Sequence, residues 1–147
     1  MNWMYDDGKV LKSFTDEMIP KDAIGFVYEM TCVIDGSVKK YIGKKNFYAN
    51  VKTKLGKKTM PKDGRKKKYK RVKRFTYKNY YSSNEVLKNA HKDGIRITRT
   101  ILKICYSKSE LTYEEVKTQF IHEVLEDNRY LNSNILGKFY KKQLNEQ

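Results

Sequence analysis

The stretch IGFVYEMTCVIDGSVKKYIGKK, residues 24–45, decides the fold. Its first half is rich in β-branched and aromatic residues. Ile24, Phe26, Tyr28, Met30, Cys32 and Ile34 fall on one parity, which is the period of a strand. Asp35-Gly36 follows, the strongest short hairpin signal, because a type I′ turn needs positive φ at both central residues. The return strand is VKKYIGKK, residues 38–45. A two-residue turn pairs Ile34 with Ser37 and, counting outward, Met30 with Tyr41. Opposed residues share a face, so Tyr28 and Tyr41 become diagonal neighbours at about 7–8 Å between backbones. A three-residue turn would move Tyr41 to the other face.

Outward from the hairpin the chain is less regular. Residues 1–22 read as an irregular lead-in that ends in a turn at Pro20. Residues 46–74 read as a basic loop broken by Gly56, Pro61 and Gly64, with partial disorder expected when no polyanion is bound. Ser82 and Glu85 form a capping box for a short helix over 84–93 with Val86, Leu87 and Ala90 as its apolar stripe, and Gly94 ends it. IRITRTILKIC, residues 95–105, reads as a further strand. Thr112 and Glu115 form a second box, opening a helix to about Leu125 with Tyr113, Val116, Phe120 and Val124 on one side. Glu115 lies nearly opposite that stripe, which suits a shallow surface site or a plain solvated residue. The polar turn EDNRYLNSN and a short apolar ILGKFY come next, with a charged tail over 138–147. This order predicts one small α+β domain over 1–147, with a three-stranded, mainly antiparallel sheet flanked by helices and carrying a long basic insertion.

Charge narrows the function. The 147 residues carry a formal net charge of +15, but it is not spread evenly. From Lys39 to Lys78 there are eighteen Lys or Arg and one acid, Asp63; the remaining 107 residues hold fourteen basic and sixteen acidic groups. All of the excess therefore sits in one stretch. Such a field attracts a polyanion, and nucleic acid fits better than a membrane surface because the stretch lacks the Leu, Ile and Trp of a membrane-lying helix. No apolar run is long enough to span a bilayer, and MNWMYDDGKV lacks the pattern of a secretory leader. Cys32 and Cys105 are too few and too far apart for a disulfide framework or a zinc site, so inert core thiols in a reducing cytoplasm are expected. His91 and His122 each stand alone and read as surface residues.

The hairpin also carries a resemblance. Gly25-Phe26-Val27-Tyr28 and Tyr41-Ile42-Gly43 are similar to the paired motifs of the GIY-YIG nuclease family, which places them on the first two strands of a small α+β domain. The first motif departs from the strict triplet, with Gly25 one place early. YKNYYSS (77–83), LTYEEVKTQ (111–119) and VLEDNRYLN (124–132) follow in the order found in phage-encoded, free-standing homing-type members. The resemblance covers about residues 24–137. It implies a metal-dependent DNA endonuclease in the host cytoplasm, with double-stranded DNA as partner. Glu115 would hold one Mg²⁺ or Mn²⁺ through a hard carboxylate oxygen.

By the same resemblance Tyr28 and Tyr41 would orient or deprotonate the attacking water, and Asn132 would be a structural or water-positioning amide. A tyrosine with a pKa of about 10 is a poor base at neutral pH, so the metal, Lys44 and Lys45 would have to lower it. The family's arginine, about ten residues past the second tyrosine, has no counterpart in NVKTK, residues 50–54. Lys45, Lys52, Arg65 and Arg71 are substitutes, and Lys45 is the best placed because the hairpin fixes it near Tyr41. Phosphate contacts are assigned to Lys44, Arg65, Lys66, Lys67, Lys68, Lys70, Arg71, Lys73 and Arg74, with Arg65, Arg71 and Arg74 the stronger groove contacts. A non-catalytic nucleic-acid-binding protein, either a decayed nuclease or an RNA-binding module, is the second reading. In it the tyrosines of YKNYYSS stack bases.

Overall fold

The computed structural model describes residues 2–54 and 69–141. Its central hairpin is the one read from sequence. Strands β3 (Gly25–Ile34) and β4 (Ser37–Asn46) pair antiparallel, with Ile34 opposite Ser37 and Met30 opposite Tyr41. Asp35 and Gly36 both take positive φ, 49° and 79°, as the type I′ turn demands. The sheet, however, has five strands, not three. Its order is β2-β1-β7-β3-β4, where β1 is Met4–Asp6, β2 is Leu11–Ser13 and β7 is Thr98–Cys105. β1 runs parallel to β7 while every other pairing is antiparallel, so the sheet is mixed.

The two extra strands come from the segment expected to be an irregular lead-in. Its polar composition hid one decisive residue. Trp3 is 1% exposed, donates its indole N–H to the Tyr77 carbonyl at 2.8 Å, and packs edge-on against Phe26 and Tyr28 at 4.9 and 5.5 Å. Short strands of three residues have too little pattern to be seen by periodicity.

The segment read as a basic loop also contains structure. β5 (Tyr48–Lys54) and β6 (Tyr69–Phe75) pair antiparallel as a two-stranded ribbon outside the main sheet. Phe47 and Tyr77 anchor its base in the core with rings 5.3 Å apart. Arg65, Lys66, Lys67 and Lys68 lie outside the described residues, and Lys52, Lys70 and Arg71 enter only through the backbone of the ribbon.

The first helix spans the expected residues but both helices are capped by other residues than expected. Helix α1 (Glu85–Lys92) is capped by Asn84, whose Oδ1 accepts from the Val86 and Leu87 amides, while Ser82 sits in the left-handed region at φ 76°. Helix α2 (Lys108–Ile121) begins a turn before Thr112. Ser107 caps it, and the Glu110 carboxylate accepts from the Tyr106 amide. The expected apolar stripe is split: Tyr113 is 65% exposed and Phe120 50%, while Val116 packs against the core and Val124, past the helix end, is buried. The buried side is Leu111 and Gln119. Glu115, spaced i+4 from Leu111 and i−4 from Gln119, therefore faces the protein and not solvent.

The sheet has a core on each side. Phe26, Tyr28, Met30 and Cys32 meet Trp3, Phe14, Phe47, Tyr77, Leu87 and Ile101 on one face. Val27, Ile42 and Cys105 meet Leu111, Val124, Leu125, Tyr130 and Ile135 on the other. Both cysteines are free and buried. No helix among the described residues is long and apolar enough to cross a membrane.

Trp3→Ala is predicted to lower the unfolding free energy by about 3–5 kcal/mol, the usual cost of truncating a buried aromatic. Urea denaturation measures it. An unchanged midpoint would return the first strands to the periphery.

Candidate active site

Alternation along the two central strands builds the site. Tyr41, Gly43 and Lys45 share one face of β4, and Tyr28 on β3 lies directly opposite Gly43. The Tyr28 ring crosses the space a side chain at 43 would fill. A Cβ there would come within 2.6 Å of the Tyr28 hydroxyl and 3.0 Å of Tyr41 Cε1. The Tyr28 and Tyr41 rings end 6.3 Å apart, as the diagonal register predicts. A bulge in the β3–β7 pairing falls between Val27 and Tyr28. Such bulges re-aim the neighbouring side chain.

Tyr28 is 1% exposed and its hydroxyl lies 3.4 Å from that of Tyr80. Burial pushes its pKa far above the tyrosine range, Tyr80 adds to this, and the Ser82 hydroxyl pulls weakly the other way. Tyr41 is half-buried at the surface of the same cluster. Its pKa is raised by burial first, then by Tyr80 and by the Glu115 charge, with Ser83 opposing.

Tyr41, Glu115 and Asn132 line one open cleft of about 310 Å³, with Ser83, Asn84 and Gln119 among its other wall residues. Glu115 makes no hydrogen bond or contact ion pair among the described residues. Burial holds its pKa above the ordinary carboxylate value, against a pull from Lys44. A carboxylate kept half-desolvated without a cationic contact fits a divalent ion. One carboxylate plus water is a usual Mg²⁺ arrangement, and no cluster of three or more His, Cys, Asp or Glu occurs among the described residues.

Asn132 is 3% exposed and clasps β4. Its Oδ1 accepts from the Ile42 amide at 3.1 Å and its Nδ2 donates to the Ile42 carbonyl at 2.8 Å. Gln119 Nε2 donates to the same carbonyl at 3.1 Å. Asn132 thus shapes the cleft through the backbone of the strand that carries Tyr41.

Lys45 lies outside that cleft. Its ammonium sits 4.7 Å over the Tyr80 ring, and burial lowers its pKa. It reaches Tyr28 only through Tyr80. Lys44 is exposed and donates to Thr112 Oγ1 at 2.9 Å, beside Glu115 on α2. Lys73 and Arg74 are exposed on the ribbon, the Lys73 ammonium 3.6 Å over the Tyr48 ring.

Two site residues escaped the sequence reading. Tyr80 belongs to the stretch YKNYYSS, whose tyrosines stack bases in the second reading; here Tyr77 is 2% exposed and Tyr80 joins Tyr28. Arg99, read only as part of a strand, is 2% exposed and donates to the Lys78 and Tyr80 carbonyls at 2.8 and 2.9 Å. It fixes the loop that carries Tyr80, Ser82 and Ser83. The two histidines are engaged too: His91 stacks on Tyr81, and His122 Nδ1 lies 3.3 Å from the Tyr130 hydroxyl.

The family model described as "Putative endonuclease segE, GIY-YIG domain" matches residues 3–135. The chain belongs to the GIY-YIG endonuclease family. No curated protein and no solved structure matches it. The match begins at Trp3, so the first strands fall within the family domain along with the hairpin.

Gly43→Ala is predicted to cost about 1–3 kcal/mol through overpacking against Tyr28, and Asn132→Ala about 1–3 kcal/mol by orphaning the Ile42 amide. Equilibrium urea unfolding tests both, with near-ultraviolet circular dichroism reporting the tyrosine cluster. Wild-type stability in either variant would remove that contact from the frame of the site.

Proposed function

We propose that the protein is a metal-dependent endonuclease that hydrolyses phosphodiester bonds in double-stranded DNA, of the phage-encoded, free-standing kind its motifs resemble. The observation that carries this reading is the convergence of Tyr41, Glu115 and Asn132, distant in sequence, on one open cleft with Tyr28 behind it. DNA as substrate is supported by the basic stretch that starts on β4 and includes Lys44, Lys73 and Arg74. Lysine and arginine at this density supply affinity for a phosphate backbone.

Hydrolysis needs a nucleophilic water, charge stabilisation on the phosphate oxygens and a proton for the leaving alkoxide. Glu115 is the residue that would hold Mg²⁺ or Mn²⁺, and the ion supplies the charge stabilisation when bound. Tyr41 is the group that meets the water, because it is the partly exposed tyrosine of the pair. Tyr28 keeps its proton and positions Tyr41 through ring contact and Tyr80 through its hydroxyl. Tyr41 loses its proton to solvent with less difficulty once the Glu115 charge is offset, since that charge is one of the groups raising its pKa, and the tyrosinate then accepts the proton of the attacking water. Lys45 holds Tyr80 by its cation–π contact. Lys44, whose charge acts on Glu115 and whose ammonium donates to Thr112, is a cation within reach of a phosphate oxygen bound beside that carboxylate.

Cleavage of supercoiled plasmid with Mg²⁺ or Mn²⁺ tests the reading. Glu115→Gln is predicted to abolish cutting and to raise stability at neutral pH. The sign follows from the raised pKa: the folded state binds that proton more tightly than the unfolded chain, so stability falls as pH rises from 4.5 through the folded value. Removing the charge removes that cost. Tyr41→Phe should stop cutting and leave DNA binding intact. A variant of Glu115 that still cuts would overturn the assignment of the ion, and a wild-type protein that binds every DNA form without cutting would make it a binding module. Replacing Lys66, Lys67 and Lys68 with Ala should weaken binding on all sequences and flatten the salt dependence of binding, by about 0.9 in log–log slope for each phosphate that is no longer neutralised.

A further inference from the structure

The catalytic reading uses one side of the loop over 77–84 and leaves the other side unexplained. There a hollow of about 520 Å³ opens between this loop and α1. Tyr81 and His91 line it and continue a series of stacked planes that begins in the core behind them. The Arg99 guanidinium lies 4.7 Å from the Trp3 ring and 4.1 Å from the Tyr81 ring, and the His91 imidazole stacks on Tyr81 at 3.7 Å with an interplanar angle of 11°. Arg99 is fixed by two carbonyls of the loop, so the series is anchored at its core end. His91, at its other end, is exposed.

An anchored series of flat groups ending in an exposed imidazole is a platform for another flat π system. The hollow's other groups suit a nucleotide. Lys88 and Lys92 supply cations one helical turn apart on α1, and Asn79 and Asn89 supply amides that both donate and accept. The single acid, Glu85, is paired with Lys88 at 3.8 Å. Ser83 lines both this hollow and the cleft of Tyr41 and Glu115, so the two lie on either side of one residue. A strand whose phosphate lies in the cleft passes Ser83 and brings the adjoining base to His91. Bases inside a duplex are already stacked, so the base accepted there is unpaired or extruded.

We propose that the hollow between residues 79–83 and α1 is a nucleobase subsite, which takes an unpaired base beside the scissile phosphate and stacks it on His91. The placement beside a scissile phosphate rests on the nuclease reading; the stacking itself does not. The subsite gives the enzyme a preference for DNA with a displaced base over perfect duplex.

The test measures binding in EDTA, where no cleavage is needed. Short DNA strands, single or annealed with one mismatch, carry 2-aminopurine at successive positions, and its fluorescence is followed as full-length protein is added. One position should be quenched. His91→Ala should lose that quenching and weaken binding to the unpaired strand about tenfold. His91→Phe should restore both, because it keeps the ring. An abasic residue at the quenched position should make wild type and His91→Ala bind alike. His91 is exposed, and far-ultraviolet circular dichroism confirms that the variants fold. Unquenched fluorescence at every position, unchanged affinity in His91→Ala, or His91→Phe behaving as His91→Ala would each overturn the subsite. A protein that quenches the probe but never cuts DNA overturns the nuclease reading and leaves the subsite; one that cuts without quenching does the reverse.

Discussion

The backbone of Ile42 holds the site together. Its carbonyl accepts from two side-chain amides, Gln119 and Asn132, and its N–H donates to Asn132. β4 is the last strand of its sheet, so one row of its N–H and C=O groups has no strand to pair with. The chain covers that row from two directions. Residues 129–132 run beside it, with Lys40 donating to the Arg129 carbonyl and Leu131 donating to the Lys40 carbonyl, and α2 lays Gln119 across it. Satisfying the edge and building the cleft are one operation. The same helix that delivers Gln119 to Ile42 delivers Glu115, one turn earlier, to Tyr41.

Packing on the other face then fixes the tyrosines. Gly43 is a glycine because the Tyr28 ring occupies the space beside it, and Tyr28 is held from behind by Trp3 and Phe26. Gly25 serves the opposite side. A Cβ there would meet the Lys45 carbonyl at 2.6 Å and Leu111 at 2.9 Å, so its absence lets α2 sit down on the hairpin. The two glycines of the motifs are close-approach positions, one on each face of the sheet. Electrostatics follow from this packing. Burial dominates the pKa of Tyr28, Tyr41 and Glu115 alike, and it favours the neutral form of each. Burial therefore works against ionisation at all three positions. The lysines expected from sequence to lower the tyrosines do not act that way: Lys45 is itself partly desolvated and Lys44 acts on Glu115.

The hairpin was legible because three signals agreed there: parity, the Asp35-Gly36 turn and the register they impose. Tyr28 and Tyr41 could be placed as neighbours before any coordinates. The lead-in was not legible, because three-residue strands carry no periodicity and Trp3 is a single residue acting at long range. The start of α2 was misread because Thr112–Glu115 and Ser107–Glu110 both satisfy the capping pattern, and only the earlier one caps. The start does not alter which residues share a face, so it was the choice of stripe that placed Glu115 on the solvent side. The exposed Tyr113 and Phe120 reinforced it, since an aromatic stripe is normally taken for a core face. Tyr80 and Arg99 act through tertiary contacts that no local pattern announces.

The distribution of charge takes on a different meaning beside this geometry. The cleft itself is lined mainly by neutral polar groups around one carboxylate, and the excess of lysine and arginine begins just past it on β4 and continues along the ribbon of β5 and β6. A cation-rich cleft would attract phosphate but would also ion-pair with Glu115 and compete for the carboxylate. Lys44 acts on Glu115 but is hydrogen-bonded to Thr112, and no cation makes an ion pair with Glu115 among the described residues, so the two tasks stay separate. Lys73 illustrates the arrangement: its ammonium lies over Tyr48, an aromatic face on the ribbon's own partner strand, so that it is held without a carboxylate and stays available to an incoming anion. Affinity for a polyanion is thereby carried by one part of the chain and the chemistry by another, joined where β4 runs out of the sheet at Asn46.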